Sequence, residues 1–89
     1  MKAYELLSSE DKWTKGYMAR DSKGRRVTPN SPEATCWCVL GAISKCYEES
    51  STLDIVDKLS EIIEYREIGV WNDFSTYKKV IDLLKSLDI

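Results

Sequence analysis

The stretch SPEATCWCVLGAISKCYEE, residues 31–49, decides how the rest of the chain is read. It opens with helix-start signals. The Ser31 hydroxyl can cap free amides, Pro32 at the first helical position lacks a proton that had no partner anyway, and Glu33 favours the helix dipole. The spacing predicts a helix over residues 34–49. Cys36, Val39, Leu40, Ile43 and Tyr47 share one face of it, while Trp37, Cys38, Ala42 and Cys46 occupy much of the remainder. A helix apolar on most sides is central rather than superficial. Gly41 costs about 1 kcal/mol relative to Ala inside a helix, so another backbone is expected to pass close to it.

Moving toward the N-terminus, Trp13, Lys15, Tyr17 and Ala19 alternate with Thr14, Gly16, Met18 and Arg20, a period of two that suits a strand. Asp21-Ser22-Lys23-Gly24 is a turn, with Gly24 free to take a positive φ. Arg25-Arg26-Val27-Thr28 forms the returning strand. An isolated hairpin is barely stable, so its aromatic side is expected to rest on helices. Residues 2–9 read as a short helix with Tyr4 and Leu7 on one side.

Toward the C-terminus, Ser50-Ser51-Thr52 breaks the central helix and caps the next. Leu53, Val56, Leu59, Ile62 and Ile63 keep helical spacing, and that helix is expected to end near Tyr65. Residues 66–73 form a packed-down connection carrying Ile68, Val70 and Trp71. Asp73 or Ser75 then caps a last helix, with Tyr77, Val80, Ile81, Leu84 and Leu87 inward. The expected fold is α+β, mainly α: a short N-terminal helix, a β-hairpin and three packed helices, in one small domain over residues 1–89.

Composition narrows the class. The chain is 43% hydrophobic and carries three Trp and five Tyr, more aromatic character than a disordered chain shows. No segment approaches the roughly 20 apolar residues of a membrane helix, and the N-terminus lacks a signal-type apolar stretch. A cytosolic location without membrane partners is expected. Three cysteines and no histidine suit neither a disulfide framework nor a closed zinc site, so no metal or cofactor is expected. The thiols read as buried packing groups. Cys36, nearer the positive end of the expected helix, is the better placed for reactivity, and Cys38 sits mid-helix.

Charge is uneven. Residues 12–26 hold six basic residues and one acid, whereas residues 48–67 hold seven acids and two basic residues, within a net charge of −2. Lys15, Arg20, Lys23, Arg25 and Arg26, interleaved with Trp13 and Tyr17, could grip phosphates while the aromatics stack on bases. A pI near 5.1 weighs against general nucleic-acid binding. The acidic stretch could imitate a phosphate backbone, although such runs are usually solvated helix faces. Trp71, Asn72 and Asp73 could present a flat ring and polar groups to a ligand. Alternatively, Trp71 anchors the connection and Asn72 or Asp73 caps the last helix.

Cys38-Val39-Leu40-Gly41-Ala42, Trp71-Asn72-Asp73 and the Trp13, Gly16 and Gly24-Arg25 positions together resemble a family of small phage and bacterial proteins known as a domain of unknown function. The resemblance runs from about Trp13 onward. It implies a phage-type accessory protein and supplies no reaction. Cys36 and Cys46 lie outside the shared pattern, which argues against a common metal site.

The leading functional expectation is therefore a non-enzymatic binding protein. It would inhibit or redirect a host defence or nucleic-acid-processing component by protein–protein contact, with tentative binding residues Lys15, Tyr17, Arg20, Lys23, Arg25, Arg26, Trp71, Asn72 and Asp73. The runner-up is a small-ligand or nucleotide-binding module around Trp71 and Asn72. Nucleic-acid binding through the basic hairpin is a further alternative.

Overall fold

A computed structural model describes residues 1–63 and 67–89. The expected helix end at Tyr65, and Glu64 and Arg66 of the acidic stretch, lie outside the described residues. The elements are α1 (Ala3–Leu6), a 3-10 turn (Glu10–Lys12), β1 (Ala19–Asp21), β2 (Ala34–Trp37), α2 (Val39–Cys46), α3 (Glu49–Ile63), α4 (Ile68–Phe74) and α5 (Tyr77–Ser86). The α+β, mainly α class stands.

The expected hairpin survives as its turn and a single bridge: residues 25–28 form no strand, and the strand that pairs with β1 is β2. The turn after Asp21 closes through Gly24 N–H to the Asp21 carbonyl at 3.0 Å, and Gly24 has φ +78°. Arg26 bridges back to Arg20, and Val27 N–H donates to the Ala19 carbonyl at 3.1 Å. The opposite edge of β1 pairs antiparallel with β2, placing Ala19 beside Trp37 and Arg20 beside Cys36. On the outer edge of β2, Thr14 N–H donates to the Trp37 carbonyl at 3.0 Å. The first half of the expected hairpin strand thus borders β2, and only its end pairs with the return.

This corrects the helix expected over residues 34–49. Residues 34–37 are strand, and the central helix starts at Val39 and ends at Cys46. The helix-start signals are spent on a turn: the Ser31 hydroxyl accepts from Glu33 N–H at 3.2 Å, and the Ser31 carbonyl accepts from Ala34 N–H. Thr35 and Trp37 suit a pleated surface, and β1 offers an open edge. Cys36 and Trp37 therefore leave the helix, and Cys38 becomes its N-cap rather than a mid-helix residue.

The centrality of α2 holds. Val39, Ala42 and Ile43 are fully buried. Cys38 N–H donates to the Met18 carbonyl at 3.1 Å, and this carries the segment leading into β1 across Gly41. A Cβ on Gly41 would stand 1.9 Å from the Met18 carbonyl oxygen. The close backbone that Gly41 required is residue 18.

Two other helices differ from expectation. In α3, Leu59 is buried while Leu53 and Ile62 face outward, and Ile55 packs on the core in their stead. Residues 50–52 lie within its first turns rather than before it. Residues 68–73 of the expected connection belong to α4, which runs on to Phe74. The cap of α5 is neither Asp73 nor Ser75: Thr76 accepts from Lys79 N–H at 3.3 Å. The inward face of α5 is as expected, with Val80, Ile81 and Leu84 buried. α1 is fastened to the far end of the chain, where Ala3 N–H and the Tyr47 hydroxyl both donate to the Ile89 carbonyl. Among the described residues, no helix is long and apolar enough to cross a membrane.

Candidate functional site

The Trp-Asn-Asp segment falls on α4, and its middle residue holds three parts of the fold together. Asn72 is fully buried. Its Oδ1 accepts from Trp13 Nε1 at 2.7 Å and from Val39 N–H at 3.1 Å, and its Nδ2 donates to the Thr14 carbonyl at 3.1 Å and to Asp73 Oδ1 at 3.3 Å. An amide has two donors and two acceptor lone pairs, so its capacity is used inside the protein. The Val39 bond also satisfies one of the orphan amides at the start of α2. Asn72 is an internal clamp, and it leaves nothing to offer a ligand.

Asp73 is half-buried. Its Oδ1 accepts from Gly16 N–H at 2.9 Å, where Gly16 has φ +82°, a left-handed conformation that favours glycine. Asp73 thereby pins the turn carrying Tyr17 against α4. Trp71 is half-buried and packs on the core, as the anchoring expectation had it.

Several of the basic residues proposed for binding have partners within the chain. Arg25 pairs with Asp21 at 2.9 Å. Arg20 donates to the Gly24 and Lys15 carbonyls at 3.1 and 3.2 Å. The Lys15 ammonium lies 5.3 Å from the Trp13 ring centre, and the Arg26 guanidinium 5.2 Å from that of Tyr17, within cation–π range. Lys23 is exposed at the turn. The structure gathers Tyr17 and Asp73 at one place, leaves the Lys23 turn apart from their cavity, and turns Asn72 inward.

That place is a cavity of about 240 Å³ lined by Gly16, Tyr17, Met18, Cys38, Glu67, Gly69, Val70 and Asp73. Two carboxylates border it, and no lining residue is basic. Cys38 is 5% exposed, and its Sγ accepts from Gly41 N–H at 3.4 Å. Burial pushes its thiol up from the ordinary value, the Asp73 charge adds to that, and the Gly41 N–H opposes it. It is a packed, protonated thiol despite its place at a helix N-terminus. Cys36, half-buried, lies on β2 with its Sγ 3.9 Å from the Arg20 carbonyl, not in the first turn of a helix. Among the described residues, no three His, Cys, Asp or Glu side chains are arranged to hold a metal ion.

Beside the cavity α4 exposes apolar surface that sequence reading missed. Val70 is 42% exposed and Phe74 84%. They stand four residues apart, on one helix face, and Tyr17, also exposed, lines the same cavity as Val70. The signal was available as Val70–Phe74 spacing, but residues 66–73 carried no recognised helix.

The model of a family of unknown function (DUF6197) matches residues 1–87, and the chain belongs to that family. No curated protein and no solved structure matches it.

Proposed function

We propose that this DUF6197 member is a non-enzymatic binding protein that docks a partner protein on the face formed by Tyr17, Val70 and Phe74. One observation carries the proposal: a phenylalanine 84% exposed on a helix whose neighbouring Asn72 is fully buried. A single exposed apolar residue needs no explanation, but Val70 and Phe74 exposed one turn apart on α4, with Val70 and exposed Tyr17 both lining a cavity, have the form of an interaction site. Aromatic anchors of this kind dominate the energy of protein interfaces.

The chemistry of the cavity supports binding over catalysis. A nucleophilic thiol needs a base or a positive field; the chain has no histidine, and Cys38 is held protonated beside a carboxylate. In a phage-type setting the partner is a host protein, and the action is inhibition or redirection by occupation of its surface. A nucleotide site at Trp71 and Asn72 has less support, because Asn72 is fully engaged and neither residue lines the cavity. Phosphate binding by the hairpin is likewise weakened by the internal engagement of Arg20 and Arg25.

Affinity capture from host extract tests the proposal, using the wild-type chain, a Val70→Ser/Phe74→Ser variant and a Leu53→Ser control. Leu53 is a suitable control because it is 64% exposed on α3. A stoichiometric partner held by wild type and control and lost by the α4 variant is expected. A partner retained by all three, or none at all, overturns it.

A further inference from the structure

We propose that the docking partner inserts a cationic side chain, lysine or arginine, into the cavity while its flanking apolar residues cover Val70 and Phe74. This deepens the docking reading and rests on it. Glu67 and Asp73 supply two carboxylates to the cavity, and none of its lining residues is basic. Of the nearby hairpin cations, Arg25 is paired with Asp21 and Arg20 donates to the Gly24 and Lys15 carbonyls, whereas Arg26 lies over the ring of Tyr17, a lining residue, and is not itself among the lining.

Asp73 is prepared for this role. Gly16 N–H and the Asn72 amide both hold its Oδ1, and among the described residues Oδ2 has no hydrogen-bond partner. A carboxylate fixed by one oxygen presents the other at little further entropic cost, which is how preorganisation improves affinity. The uncharged Cys38 forms part of the wall. Opposite charge set beside an apolar patch fixes the register of a partner and disfavours acidic competitors, so the same geometry rejects phosphate and acidic peptides. Its small volume suits one side chain better than a free nucleotide.

The experiment is selection of a displayed random heptapeptide library on the intact protein, followed by fluorescence anisotropy with the selected peptides. A basic residue beside apolar ones is expected in those peptides. Replacing arginine by citrulline, or lysine by norleucine, is expected to weaken binding about tenfold or more, in the range of charge pairs at interfaces. Glu67→Gln is expected to weaken the basic peptide and leave its neutral counterpart unchanged. Glu67 makes no hydrogen bond from its side chain among the described residues, so this variant keeps the fold, whereas Asp73→Asn also touches the Gly16 turn. Peptides without a basic residue that still depend on Phe74 overturn this inference and leave the docking reading standing. A selection that yields no Phe74-dependent peptide overturns both.

Discussion

Gly41 and Met18 are in backbone contact: a Cβ on Gly41 would lie 1.9 Å from the Met18 carbonyl oxygen and 2.8 Å from its carbon. Helix propensity and packing therefore predict opposite signs for one substitution. Alanine is favoured by about 1 kcal/mol in a free helix interior. Here the obstacle is backbone, and Cys38 N–H ties that backbone in place. Gly41→Ala is expected to destabilise by about 3 kcal/mol, at the upper end of overpacking costs. Urea unfolding checks it, and a more stable variant would show that the two segments do not meet.

Asn72→Ala is expected to cost about 3 kcal/mol, because it strands Trp13 Nε1, Val39 N–H and the Thr14 carbonyl, and each orphaned buried group costs about 1–3 kcal/mol. Asn72→Leu, of similar volume, is expected to be no better. Trp13 emission should shift to the red in both variants as its indole finds water.

Asp21 gives the acid limb of stability a specific contributor. Its carboxyl is held below the ordinary value chiefly by the Arg25 backbone N–H, against burial, with the Arg25 side chain and Lys23 N–H assisting. A depressed folded pKa means that its contribution is present above the unfolded value of about 3.9 and is lost as pH falls through the lower folded value. Asp21→Asn is therefore expected to flatten the stability profile below about pH 4, as read by urea midpoints across pH. A profile parallel to wild type would refute the assignment.

Burial pushes the Cys38 and Cys46 thiols up, and Cys38 is the one fully buried cysteine of the three. Under native conditions Cys38 is expected to be alkylated about tenfold or more slowly than Cys36 or Cys46, since thiolate fraction and access set the rate. Peptide mass spectrometry after timed iodoacetamide exposure reads this. Fast labelling of Cys38 would reveal a reactive thiol in the cavity and reopen catalysis.

Sequence reading succeeded where a local rule had one structural solution. Gly24 in a turn, Gly41 under a passing backbone and the buried stripe of α5 follow from φ, close approach and a period of 3.6. It failed at residues 31–38, where Ser-Pro-Glu serves a tight turn as well as a helix start. The choice was made at a distance, by the open edge of β1. Asn72 reads as a cap or a ligand group because its three distant partners, Trp13, Thr14 and Val39, leave no local trace. The exposure of Phe74 is not legible, because an exposed aromatic reads like a core residue until the helix carrying it has been placed.

Hydrogen exchange of the chain, free and bound to its captured partner, tests the docking surface most directly. Slowed exchange confined to residues 15–18 and 67–75 is the predicted result. Protection centred instead on the turn at residues 22–26 or on α3, with α4 unchanged, would contradict it.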